Sequence, residues 1–179
     1  MLTPTLKTPL DLLHKLEREQ HRAFHAPHAT HLADHLYNFC VTALALRDYF
    51  FLAVNATKQY EQEFFELWSV DPALRACSEI ANASKHGALR SPPKTRGMAL
   101  ATSTWIDVYV DGTGALVLEP DDNHPDVSIT TADAIALSLY DLTEKVIAFW
   151  RSRFFLHGIE AARQNETEFF GQADPEPAT

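Results

Sequence analysis

Little in this sequence points outside the cytoplasm. Its two cysteines, Cys40 and Cys77, are too few for a disulfide framework and are read as buried, reduced thiols. No apolar run reaches the length of a transmembrane helix, because polar residues interrupt every long stretch. The opening "MLTPTLKTPLDLLHKLE" lacks a basic segment followed by an apolar one, so no signal peptide is expected and a cytoplasmic protein is predicted. Positive charge is also scarce. Fifteen Lys and Arg stand against 24 Asp and Glu, a formal net charge of -9. That excludes a surface that coats nucleic acid through its phosphates, which needs concentrated Lys and Arg.

What remains is an ordinary globular composition, 46% hydrophobic and 22% charged over 179 residues, enough for one domain with a real core. Leu10, Leu13, Leu16 and Phe24 follow a helical period that Pro27 breaks. Thr30 is read as the N-cap of a second helix, with Asp34 near its first turn. This helix continues to Asn55 without Gly or Pro, and its nearly all-round apolar surface marks a central helix of a bundle. Thr57 opens a third helix. Asp71 with Pro72 opens a fourth, which stops near Gly87. "RSPPKTRG" is expected to be a loop. "TWIDVYVDGTGALVLEP" alternates around turn residues and predicts a β-hairpin, while "PDDNHPDVSI" reads as a loop ending in a short third strand. Thr130 with Asp133 is read as the cap of a last long helix, from Ala132 to about Gly158.

The predicted fold is therefore mostly α: a bundle of four or five helices with a small antiparallel hairpin, extended to three strands if the short one pairs, inserted at about 100–130. The domain is expected to span 1–165, with a flexible tail over 166–179.

The stretch "CSEIANASKHGALR" breaks the helical routine. Glu79, Asn82 and His86 stand at i, i+3 and i+7 and share one helix face, flanked by Ser78 and Lys85. The central helix repeats the pattern with His31, Asp34, His35 and Asn38. A buried polar group must find partners, so the two polar faces are predicted to meet. Between Arg75 and Asp107 the only acidic residue is Glu79, while Arg75, Arg90, Lys94 and Arg96 form a cationic, anion-recruiting set with Lys85.

Three uses fit such a seam. It can be a structural lock between helices. It can be an acid–base site, with histidine exchanging protons and Lys or Asn holding negative charge. Or it can hold a divalent transition metal such as zinc, through His31, His35 and Asp34. Six of the nine histidines lie between His14 and His35, and "HRAFH" and "HLADH" each place two of them at i and i+4. No "HExxH" is present.

With its polar residues ahead of a histidine near a helix end, "NASKH" resembles the tail of the motif of the HEPN superfamily. These are compact helical bundles, many of them metal-independent ribonucleases of toxin and antiphage systems, often dimeric with two motifs lining one cleft. The resemblance implies Asn82 as the motif's polar residue and His86 as its catalytic histidine. Ala81 stands where the family carries Arg, so Lys85 would supply the cation. Arg151, followed by Ser152 and His157, fits the same interval. On this reading RNA is cleaved without metal or other cofactor. His86 serves as general acid or base, Lys85 steadies the phosphorane-like charge, Glu79 and Asn82 orient His86, and His35 and Asn38 complete the wall. A non-enzymatic alternative is a module that forms a homodimer or docks to a partner protein through aromatic helix surfaces such as Phe64, Phe65 and Trp68, or Phe154 and Phe155.

Overall fold

The computed structural model describes residues 6–86, 95–110, 116–131 and 133–159. Among them the chain forms five helices and a three-stranded antiparallel sheet placed before the last helix. The predicted mostly α bundle with a β insertion is the observed architecture. No helix among the described residues is long and apolar enough to cross a membrane.

Helix α1 (Pro9–Phe24) begins with a reciprocal cap, in which Asp11 N–H donates to Thr8 Oγ1 at 3.1 Å and Thr8 N–H donates to Asp11 Oδ2 at 2.8 Å. Helix α2 (Ala29–Ala53) starts one residue before Thr30, the predicted cap. Its N-cap is His28, with no side-chain cap bond, and Leu32 N–H already donates to His28 O at 3.0 Å. Helix α3 (Lys58–Val70) is capped by Thr57, whose hydroxyl accepts from Tyr60 N–H, as its sequence predicts. Helix α4 (Pro72–His86) follows Asp71, whose Oδ1 accepts from the N–H groups of Ala73 and Leu74.

The last helix, α5 (Leu139–Leu156), begins seven residues later than the predicted Ala132. The intervening chain makes a tight turn, with Thr131 N–H donating to Ile135 O at 2.9 Å and Ala134 at φ 60. It then adds strand β3 (Ala136–Leu137), so Ser138 and Asp141 form the capping box in place of Thr130 and Asp133.

Strands β1 (Thr95–Val110) and β2 (Leu116–Thr131) pair from Val110↔Leu116 to Thr95↔Thr131. The hairpin thus takes in Thr95–Gly97, expected as the end of a loop, and Pro120–Ile129, expected as a loop ending in a short third strand; the third strand is instead Ala136–Leu137. Among the described residues, Pro120 and Pro125 sit where β1 is β2's only partner, because β3 pairs only at Ile129 and Thr130. Between Ser103↔His124 and Trp105↔Asp121, β2 places two residues opposite one, a bulge that accommodates the irregular stretch. At the base of the hairpin Val127, Ile129 and Thr131 are buried at every second position, so one strand face closes over the helices.

The core is aromatic and centred on Phe50. Its ring lies 5.7 Å from Trp150 and 5.9 Å from Phe154, centroid to centroid, and 6.3 Å from Phe64. These rings come from α2, α3 and α5, so one residue ties three helices together. Cys40 and Cys77 are buried free thiols between α2 and α4, with Cys77 Sγ 4.0 Å from Cys40 O. Burial first, and then the neighbouring Cys77, push the Cys40 thiol well above its ordinary value, so it stays protonated.

Candidate functional site

Helix α1 buries a stripe of Leu12, Leu16, Glu19 and Ala23, one residue per turn. A carboxylate in that stripe must be compensated where it stands. Glu19 is 4% exposed, and three basic side chains converge on it. Lys15 Nζ is 3.4 Å and an Arg22 guanidinium nitrogen 3.1 Å from Oε1, while His35 Nδ1 is 3.1 Å from Oε2. Lys15 also donates to Thr42 Oγ1 at 2.7 Å, and Thr42 in turn donates to Asn38 O at 2.7 Å. Burial raises the Glu19 pKa, but the His35 contact and the Lys15 and Arg22 charges outweigh it and hold the carboxyl below its ordinary value. The sequence reading missed this residue. Its signal was a glutamate on an apolar stripe with Lys at i-4 and Arg at i+3.

Of the predicted polar face of α2, His35 is the residue turned toward α1. His35 meets Glu19 and not the Glu79–Asn82 face of α4, which corrects the expected seam at that residue. The helical repeat explains the difference. Helix α2 presents Cys40 to α4, and His35, five residues earlier, lies about 140° away around the axis. His31, Asp34 and Asn38 are exposed. The predicted trio His31, Asp34 and His35 is not drawn together, and among the described residues no three His, Cys, Asp or Glu side chains are placed to share a metal ion.

On α4, Ser78 Oγ accepts from the Trp68 indole N–H. Glu79 Oε2 accepts from Thr95 N–H at 2.7 Å, which fastens the first residue of β1 to the middle of α4. Asn82 is half-buried. Lys85 and His86 lie in the last turn of α4, and their side chains fall outside the described residues, as do Arg90, Lys94 and the side chain of Arg96. Arg75, the remaining member of the anion-binding set, pairs with Asp133 at 3.4 Å near the other end of α4. Arg151 and His157 bond different partners. Arg151 bonds Glu17 on α1 at 2.8 Å, whereas His157 Nε2 lies 2.8 Å from the Tyr60 hydroxyl.

A groove of about 660 Å³ separates the start of α4 from β3 and α5, lined by residues including Pro72, Leu137, Tyr140 and Glu144. Its carboxylates are already engaged: Asp71 and Asp141 cap helices, and Glu144 Oε1 accepts from Gln20 at 2.6 Å. In contrast, large apolar side chains stand in solvent at the end of the bundle where α2 and α5 finish. Phe155 is 84%, Leu52 78% and Leu156 63% exposed. The two last turns meet there, with the rings of Phe50 and His157 5.2 Å apart. The chain matches no protein-family model, no curated protein and no solved structure.

Proposed function

We propose that this chain acts as a non-catalytic association module, pairing with a second copy of itself through the end of the bundle formed by the last turns of α2 and α5. The observation that carries this reading is the exposure of Leu52, Phe155 and Leu156 on two turns that lie together. Isolated surface apolar residues are common, but three large ones on adjoining turns are the composition of an interface. Charge favours a second copy as the occupant. The chain has a net charge of -9, so two copies repel unless they meet where carboxylates are absent. Residues 49–57 ("YFFLAVNAT") and 154–159 ("FFLHGI") contain no acidic side chain, and the exposed Asp48, one turn before Leu52, is neutralised by Arg47 at 3.1 Å. The closed, compensated state of Glu19 fits the same reading, in which the polar cluster fixes how α1 and α2 pack. Light scattering on the full chain tests the proposal. The wild type is expected as a dimer, and Leu52→Glu with Phe155→Glu as a folded monomer.

A second reading rests on the Glu79–Thr95 bond. By fastening the start of β1 to α4, it brings the backbone of Arg96 to the helix that carries Asn82, Lys85 and His86. That supports an anion site at the α4–β1 junction, with RNA phosphodiester as the substrate class and His86 as the proton-transferring group, the chemistry the HEPN resemblance implies. Cleavage of RNA by the wild type but not by His86→Ala, with chelator present, is the expected result. Equal or absent activity in both removes this reading.

A further inference from the structure

Helices α2 and α4 each bury one cysteine, and the two meet where the helices pack. On α4, Ala73, Ala76, Cys77 and Ala81 are buried at helical spacing and form a stripe of small side chains. Cys40 and Ala43 are buried on α2. Helix axes approach as closely as the side chains between them allow, so small ones bring the two backbones together. Cys77 Sγ lies 4.0 Å from the carbonyl oxygen of Cys40, and its thiol is also within hydrogen-bonding reach of the Cys40 thiol. Both residues are 0% exposed, and both thiols are free.

This seclusion sets the chemistry open to the pair. A thiolate is the species that attacks an oxidant, and the Cys40 thiol stays protonated while buried. Oxidation is therefore slow in the closed bundle and is gated by local separation of α4 from α2. Once one sulfur is oxidised, the other stands beside it. Groups held together react as if at very high local concentration, so the second step outruns attack by a further oxidant molecule. A bond between the two sulfurs closes a loop over residues 41–76, which takes in the second half of α2 and all of α3. Such a closure restricts the unfolded chain and so favours the folded one.

We propose that Cys40 and Cys77 are a site of reversible oxidative modification, forming a disulfide between α2 and α4 within one chain, with hydrogen peroxide as the oxidant. One cysteine thiolate attacks a peroxide oxygen, the O–O bond breaks, and the departing hydroxide takes up a proton to become water. The other sulfur attacks the resulting sulfenic acid. The S–S bond forms, and the sulfenic hydroxyl leaves as water with that thiol's proton. Two thiols and one peroxide thus give one disulfide and two waters, and a small thiol reverses the change by exchange. The proposal depends on neither functional reading.

The test exposes the full, folded chain to hydrogen peroxide, followed by peptide mapping without reductant and by thermal melting. Met98, 51% exposed, reports through its sulfoxide that the oxidant is active. A cross-linked Cys40–Cys77 peptide from a single chain is expected. The oxidised protein should melt about 5–10 °C higher than the same sample after dithiothreitol, which restores the thiols but leaves the sulfoxide. Cys40→Ala and Cys77→Ala should each show neither the cross-link nor the shift. If either variant fails to fold, the wild-type map and melting curve alone decide. The proposal is overturned if Met98 is oxidised while both thiols stay free until urea is added. It is equally overturned if the link joins two chains, or if the linked protein melts no higher than after dithiothreitol.

Discussion

His35 Nδ1 lies 3.1 Å from Glu19 Oε2, joining α2 to α1 through a carboxylate that is 4% exposed. Lys15 and Arg22 approach the same carboxyl and keep partial contact with water, so the charges in the cluster are not equally at risk. Glu19→Gln keeps the shape and leaves cations that can turn toward solvent. It is expected to cost about 1–3 kcal/mol in urea denaturation. Lys15→Met removes a cation and a Thr42 partner from a carboxylate that cannot reach water, and is predicted to cost at least as much as Glu19→Gln.

The same contacts set the acid limit of stability. Glu19 is held below its ordinary value although burial opposes this. Asp11 is lowered by the backbone N–H of Lys7 and by Thr8, and Asp141 by the backbone and hydroxyl of Ser138. A carboxyl lowered in the folded state contributes stability that is fully present above its unfolded pKa. That contribution disappears as pH falls through the folded value. Stability should therefore decline from about pH 4.5 downward. In Glu19→Gln that decline should be shallower, as measured by denaturation midpoints across the acid range.

Phe50 ties α2 to α3 and α5 through Phe64, Trp150 and Phe154. Phe50→Ala opens a cavity among rings from three helices and is predicted to cost about 3–5 kcal/mol, near the upper end for a single core substitution. Phe155→Ala, one residue beyond Phe154 but in solvent, should change the stability of the isolated chain by less than about 0.5 kcal/mol.

Ala134 occupies the left-handed region at φ 60, in the turn between β2 and β3. Ala134→Gly relieves the side chain's strain there while loosening the unfolded chain, so a net gain of about 0.5 kcal/mol is expected. Thermal melting checks the sign.

The elements most legible in the sequence were those whose start is written locally. Thr57, and Asp71 with Pro72, each satisfy the first N–H groups of the helix that follows, and both helices begin where those residues predict. The start of α5 was misplaced because Thr130–Asp133 imitates a cap, while the chain there is taken by pairing with β2, a contact between residues that no local signal announces. The hairpin is longer than its alternating segment because a bulge absorbs the proline-flanked stretch. The polar residues of α2 were recognised, but their direction was not. A helical period tells which residues share a face, not which neighbour that face meets, and Glu19 carried the missing half of the pair. The side chains of Lys85 and His86, together with Arg90, Lys94 and the proposed tail over 166–179, lie outside what is described.

Sedimentation velocity of the full chain at micromolar concentration, wild type beside Leu52→Glu/Phe155→Glu, tests the association module most directly. A dimer that the paired glutamates convert to a monomer with unchanged circular dichroism is the predicted result. A wild type that sediments as a monomer throughout, or a dimer indifferent to both charges, would contradict it.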